Sequence, residues 1–276
     1  MIHRVLSVGI NKYMDSSSNL RGCVGDVERV WYHLLDNYGF DPELMRAILD
    51  NRATKANMLD RMAKSVLELQ PGEAAVWHYS GHGSQVRDRH NDELLDGMDE
   101  ILCPHDMNWD DPLKDDDISK IVGMAKPGTS IIFICDSCHS GTIDRVVQPE
   151  EFGCYRKQRF MVPPLDIELR SRGRKFSWKW FARLFGRPYG GATETQAPKG
   201  VGLLLLSGCK DDQTSEEGVF NGEVCGVLTT AFIKATKEKG LTWRKAHERV
   251  CEIVSKWGYE QEPQLSGNML DRKVFE

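Results

Sequence analysis

The sequence predicts a three-layer α/β/α fold, a mostly parallel central sheet flanked by helices on both faces. Two observations carry this expectation. Short apolar, β-branched runs alternate along the chain with longer segments whose apolar residues recur every three or four positions. The length of 276 residues suits one large domain or two small ones, and no internal repeat divides it.

The elements follow in order. Arg4 to Ile10 reads as the first strand. Asp26 to Asn37 reads as a helix with Val27, Val30, Trp31, Leu34 and Leu35 on one face, and Leu44 to Leu49 as the second strand. Thr54 is placed to cap a helix carrying Met58, Leu59, Met62, Val66 and Leu69, which Pro71-Gly72 stops. Ala74 to Tyr79, Ser130 to Cys135 and Val201 to Ser207 are further short strands. Helices are expected at Leu228 to Lys237 and Thr242 to Trp257. Two stretches break the rhythm. Asp88 to Asp117 is acidic with little period, and Glu150 to Gly200 carries four prolines, a glycine pair and many cations, too long for a simple connection.

Composition excludes several classes. With 40% hydrophobic and 28% charged residues the chain is neither disordered nor fibrous, and eight cysteines are too sparse for a disulfide scaffold. A formal net charge of -5 gives no strong nucleic-acid signal. No apolar run approaches the roughly 18 residues of a membrane span, and Met1 to Tyr13 lacks the core of a signal peptide, so a cytoplasmic protein with reduced thiols is expected.

Two strand ends carry the chemistry. One reads His78-Tyr-Ser80-Gly-His82-Gly83 and the other Cys135-Asp136-Ser-Cys138-His139-Ser-Gly141. In an open parallel sheet, ligands collect beyond the carboxyl ends of the strands. A histidine and a cysteine leaving two such ends suit an imidazole-assisted thiol nucleophile, and the neighbouring glycines leave N–H groups free for an oxyanion. Cys135-Asp-Ser-Cys138-His139 also fits the short patterns of a redox dithiol or haem attachment, but Cys135 closes an apolar run and is expected in the core.

These motifs resemble the histidine and cysteine motifs of metacaspases and their prokaryotic relatives, the orthocaspases. The resemblance extends to Asp96-Gly-Met-Asp99-Glu100, to Ser207 through Ser215 and to Pro263-Gln-Leu-Ser-Gly267, nearly the whole chain. It implies a single caspase-like peptidase domain over 1–276, with a basic and aromatic insertion at about 150–200. It also implies a cysteine endopeptidase in which His82 is general base and acid, Cys138 the nucleophile, and the N–H groups of Gly83 and Cys138 the oxyanion donors. The signature typical of true caspases is absent, which argues against cleavage after Asp.

A pocket for a substrate Arg or Lys needs buried carboxylates. Asp136, two residues before the nucleophile, is one. By the resemblance, Cys23-Val-Gly-Asp26 adds Cys23 and Asp26, and Ser80 lines the same pocket; Asp26 alone reads equally as an acid at a helix start. The resemblance further implies activation by calcium through Asp99, Asp115, Asp116 and Asp144, while the chemistry itself needs no cofactor. No EF-hand spacing is present.

Within the insertion, Arg172 to Arg187 holds six cations and no acid, interleaved with Phe176, Trp178, Trp180, Phe181 and Phe185. It reads as a surface lid or a docking element for a partner. Arg156, Lys157, Arg159, Arg170, Arg172, Arg174 and Lys175 offer cleavage sites for self-processing or for an activating protease. The expected partners are a protein or peptide substrate with Arg or Lys before the cut bond and a regulatory protein, and the expected state is a monomer. A chain with no leader before its first strand resembles the compact prokaryotic enzymes, for which stress-induced cell death and antiviral defence are implied contexts. The alternative reading is a catalytically quiet binding module of the same fold that uses the basic aromatic segment as its contact surface.

Overall fold

The computed structural model describes residues 2–87, 98–138, 155–164, 167, 198–210 and 213–276. Among them the chain runs β1 (His3–Gly9), α1 (Cys23–Tyr38), β2 (Met45–Leu49), α2 (Lys55–Leu67), β3 (Ala74–Ser80), β4 (Gly83–Arg87), β5 (Met98–Leu102), β6 (Leu113–Lys114) and α3 (Asp115–Val122). It continues through β7 (Ser130–Asp136), β8 (Arg156–Gln158), β9 (Gly202–Ser207), β10 (Glu216–Phe220), β11 (Glu223–Gly226), α4 (Val227–Ala235), α5 (Trp243–Lys256) and β12 (Gln264–Gly267).

The six-stranded sheet has the order β12-β9-β7-β3-β1-β2, parallel throughout except for β12 against β9. Successive residues of its strands point to opposite faces, so each run of apolar residues feeds two cores. On β7, Ile131, Phe133 and Cys135 join Met58, Met62 and Val66 of α2 and Ile118 and Val122 of α3. Ile132 and Ile134 instead join Val30 and Leu34 of α1, Phe232 of α4 and Val250 of α5. Burial of such side chains is worth about 1.5 to 3 kcal/mol each, enough to hold helices on both faces. Thr54 caps α2 as expected, its hydroxyl accepting the Asn57 N–H at 3.3 Å. α1 stops at Gly39, whose φ of 66° is the left-handed conformation that ends helices.

The three-layer reading holds, with three differences. α1 begins at Cys23, three residues before the expected start, which brings Asp26 inside its first turn. The acidic stretch is more regular than its composition suggests: β4, β5 and β6 form an antiparallel sheet, and α3 buries Ile118, Ile121 and Val122. A helix of eight residues shows too few apolar repeats for its period to stand out. A third sheet, β11-β10-β8, has the same cause of invisibility, since it is assembled from mostly polar residues.

What the fold supplies to function is one edge. In register, Gly9 lies beside Ser80 and Ser80 beside Asp136, so β1, β3 and β7 end level with one another. The chain leaving β3 is Gly81-His82-Gly83, and the chain leaving β7 is Ser137-Cys138.

Candidate active site

Gly81 can turn out of β3 because it lacks a side chain: a Cβ there would come within 2.7 Å of the Tyr79 hydroxyl and 2.9 Å of the Tyr13 hydroxyl. Those two hydroxyls fix the next residue. The His82 N–H donates to Tyr13 Oη at 2.7 Å, and Tyr79 Oη donates to the His82 carbonyl at 2.6 Å. The His82 ring is 2% exposed, and its Nε2 hydrogen bonds to the Ser18 carbonyl at 2.8 Å. A carbonyl only accepts, so Nε2 carries the proton and Nδ1 of the neutral ring keeps its lone pair. Nδ1 has no hydrogen-bond partner among the described residues. Burial, reinforced by the nearby charges of Lys157 and Arg159 against the Ser18 bond, lowers the pKa of this imidazole to about 4. The ring is therefore neutral near pH 7.

Cys138 is fully buried and in no disulfide; Cys135, also a free thiol, points into the α2 and α3 core as its position in the apolar run predicted. The Cys138 thiol donates to the Ser215 carbonyl at 3.0 Å, and its sulfur receives the Ser215 N–H. The backbone N–H groups of Gly83, at 3.0 Å, and Cys138, at 3.2 Å, both donate to one oxygen, the carbonyl of Arg159. Two amides converging on one carbonyl oxygen polarise it and stand ready to hold negative charge there. The loops after β3 and β7 thus share a single focus.

That carbonyl belongs to a segment of the insertion lying in the groove as a peptide. β8 pairs antiparallel with β10, Arg156 opposite Gly218, Lys157 opposite Glu217 and Gln158 opposite Glu216. Beyond it the Arg159 N–H donates to the Ser215 carbonyl at 2.9 Å, the Met161 N–H to the Gly83 carbonyl at 2.9 Å, and Ser84 Oγ to the Met161 carbonyl at 2.6 Å. Main-chain bonds run along both sides of the Arg159–Phe160 bond, the way an extended peptide docks on a strand edge.

The Arg159 side chain fills a closed pocket and is 0% exposed. Nη2 meets Asp26 Oδ2 at 2.6 Å; Nη1 meets Asp136 Oδ2 at 3.1 Å, Ser80 Oγ at 2.9 Å and the Asp136 carbonyl at 3.1 Å. Glu217 Oε2 stands 3.8 Å from Nη2. The carboxylates are themselves held. Ser80 Oγ, Arg29 and the Gly226 N–H donate to Asp26, while Ser215 Oγ and both the N–H and hydroxyl of Thr229 donate to Asp136. Glu217 accepts the N–H groups of Arg21 and Gly22 and the Tyr155 hydroxyl. Burial alone would raise the Asp26 pKa, but the Arg159 and Arg29 guanidinium groups outweigh it and hold the carboxyl below its usual range. Gly226 is the pocket wall, where any Cβ would strike Asp136, Arg159 and Asp26.

His82, Gly83, Cys138, Ser80, Asp26 and Asp136 therefore meet at one site. Cys23 is buried among the charges of Arg159, Glu217 and Asp26, and that burial pushes its thiol pKa up, so it lines the pocket as a neutral group. Sequence reasoning missed Glu217, Ser215, Gly226, Tyr13 and Ser18. Ser215 closes one of the motifs noted above and Glu217 follows at the spacing of one strand face, but neither had an apolar pattern to place it. The insertion residues Arg156, Lys157 and Arg159 were expected as cleavable positions on an exposed loop; Arg159 is instead fully buried, because pairing with β10 and the pocket charges hold it. Arg170, Arg172, Arg174, Lys175, His139, Asp144, the segment 172–187 and the side chain of Asp99 lie outside the described residues. Asp115 and Asp116 open α3, with Asp115 Oδ1 accepting the Asp116 N–H at 2.8 Å. Among the described residues no three His, Cys, Asp or Glu side chains group as a metal site, and no helix is long and apolar enough to cross a membrane.

Known proteins resemble this chain in sequence and in fold. A family model described as metacaspase, peptidase C14 domain, matches residues 3–146. Metacaspase-1A of Aspergillus oryzae is 29% identical over 99% of this chain and 70% of its own length. Metacaspase-1 of Saccharomyces cerevisiae is 30% identical over 96% of this chain and 66% of its own length. The chain spans from 62% to 70% of the length of such relatives. In fold, a solved protein of Geobacter sulfurreducens superposes with a TM-score of 0.68 at 23% identity, covering 100% of this chain and 98% of that one. Caspase-1 of Spodoptera frugiperda does so with a TM-score of 0.58 at 12% identity, covering 98% of this chain and 88% of that one.

Proposed function

We propose, from the premise that this chain belongs to the metacaspase family of cysteine peptidases, that it is an endopeptidase cleaving after arginine and that its first substrate is its own Arg159–Phe160 bond. The observation that carries the reading is the posture of Arg159, with its guanidinium between Asp26 and Asp136 and its carbonyl on the amides of Gly83 and Cys138.

The chemistry follows from the atoms in place. The Cys138 thiol turns from Ser215, gives its proton to His82 Nδ1, and its sulfur adds to the carbonyl carbon of the residue before the cut bond. The carbonyl oxygen becomes an oxyanion held by the Gly83 and Cys138 N–H groups. The C–N bond breaks as the His82 imidazolium returns the proton to the leaving amine. Water, deprotonated by the same Nδ1, then hydrolyses the thioester and restores the thiol. The Ser18 carbonyl keeps Nε2 protonated throughout, so the lone pair stays on the side of the reaction.

Arginine is favoured over lysine because the two carboxylates take different nitrogens of one planar fork, whereas an ammonium is a single point charge. With the segment docked, Cys138 and His82 are closed to other substrates, so release of residues 155–161 after the cut is what admits them. Calcium, acting through Asp99, Asp115, Asp116 and Asp144, or a second protease promotes that release in this proposal. Purified chain incubated with calcium or with chelator should be cut, and mass spectrometry should place the new C-terminus at Arg159. Cys138→Ala should stay folded and uncut. A cut at another bond, or an equal cut in the Cys138 variant, would sink the assignment.

A further inference from the structure

We infer that the groove holds a second cation subsite for the residue three positions before the cleaved arginine, formed by the face of Tyr259 and the carbonyl of Gly258. The inference rests on reading the groove as a peptidase groove that cuts after Arg159. The docked segment fills the subsite with Arg156. Its guanidinium carbon lies 4.3 Å from the Tyr259 ring centroid, and both terminal nitrogens lie 3.4 Å from the Gly258 carbonyl oxygen.

Three features make this a built place rather than a chance contact. The electron-rich face of a tyrosine attracts a cation, most of all a guanidinium that stacks flat on it. Gly258 follows the end of α5 with a φ of 75°, the left-handed turn that stops the helix, and its carbonyl accepts from the Arg156 guanidinium. Gly218, opposite Arg156 in the β8 and β10 register, leaves the space into which Tyr259 leans; a Cβ on Gly218 would collide with the tyrosine hydroxyl. Phe220 stacks against Tyr259 at 6.1 Å and packs on Trp257 at 4.6 Å, which keeps the ring in place.

The next residue of the segment is held in the same style. Lys157 Nζ donates to the Asn19 carbonyl at 2.6 Å. Acceptors that are neutral carbonyls and a ring face, unlike the carboxylates around Arg159, select a cation gently and leave it partly in water. The ligand class is a polybasic peptide with the pattern Arg-Lys-Gln-Arg before the cut bond, and the strongest preference upstream of the final arginine belongs to its first position.

The test compares two fluorogenic peptides cut by the full chain, Arg-Lys-Gln-Arg and citrulline-Lys-Gln-Arg, with the same leaving amine; citrulline keeps the shape and removes the charge. The expected kcat/KM is about 2- to 5-fold higher for the arginine peptide. Tyr259→Ala should erase that ratio and Tyr259→Phe should keep it. Equal rates on both peptides in the wild type overturn the subsite while leaving cleavage after arginine intact. Should neither peptide be cut, cleavage fails as a reading, and the subsite is decided by docking alone. Arg156→Gln in the Cys138→Ala chain should then speed amide hydrogen exchange across 156–161 by about the same factor, and unchanged exchange overturns the proposal.

Discussion

Arg159 and Arg156 sit three residues apart on one segment and are held in opposite ways. Arg159 is wholly removed from water and surrounded by Asp26, Asp136 and Glu217, each tied to further donors. Arg156 stays exposed, touching a ring and a carbonyl. A buried charge that loses its partner costs about 3 to 5 kcal/mol, whereas an exposed cation over a ring is worth about 0.5 to 1 kcal/mol. One cation therefore decides whether a peptide is accepted, and the other adjusts how well. The pocket is a demanding filter because its carboxylates are expensive to leave alone, while the outer subsite costs little when empty.

The largest effect should come from the buried partner itself. Arg159→Gln leaves Asp26 and Asp136 facing an uncharged side chain, and water should enter as the segment detaches. Exchange of the Arg159-position and Met161 amides should quicken by about 100-fold or more, the equivalent of about 3 to 5 kcal/mol. Self-cleavage at that bond should disappear. An uncharged residue 159 that stays docked and protected would erase the contrast between the two arginines.

Next come the carboxylates. Asp136→Asn and Asp26→Asn should each lower kcat/KM on arginine peptides by about 30-fold or more, corresponding to about 2 to 5 kcal/mol for an unpaired buried guanidinium. Asp136→Asn should be the more harmful, since Asp26 sits between two guanidinium groups and its removal leaves Arg159 on Asp136 while freeing Arg29 toward Glu223. Full activity in either variant would remove that residue from the pocket.

Smaller still is the dependence of docking on pH. The His82 pKa is lowered to about 4 by burial first and then by Lys157 and Arg159, both of which belong to the docked segment. With the segment away, the ring should titrate nearer about 6.5. A detached ring then binds a proton that the docked one refuses, so docking is at full strength above about pH 6.5 and weakens as pH falls from there toward 4, by on the order of 1 to 3 kcal/mol. NMR titration of the His82 ring should give a low value in Cys138→Ala and a value near 6.5 once Arg159→Gln is added. The same low value in both would show that the segment does not cover the histidine.

Much of the fold was legible. The strands that end at Ser80 and Asp136 announced themselves as apolar runs because both sheet faces are dry, and Thr54 marks a helix start by a local rule that needs no distant partner. The short polar sheets were not legible, since β8 and β10 are defined by hydrogen bonds to each other and carry little hydrophobic signal.

The site divides along the same line. The sequence by itself determined the groups: His82 and Cys138 at two strand ends, glycines beside them and Asp136 two residues before the thiol, while Asp26 and Ser80 came from the resemblance to metacaspases. Only the tertiary structure decided that Arg159 would be the cation those carboxylates hold, that Glu217 and Gly226 would close the pocket around it, and that the Ser18 carbonyl would choose the histidine tautomer. Those contacts join residues from 23 to more than 130 positions apart. No local pattern records such distances. They arise because the sheet registers bring level the ends of β1, β3 and β7 and the β8–β10 pairing lays the insertion across them, so that a buried guanidinium finds three carboxylates in one small, dry space.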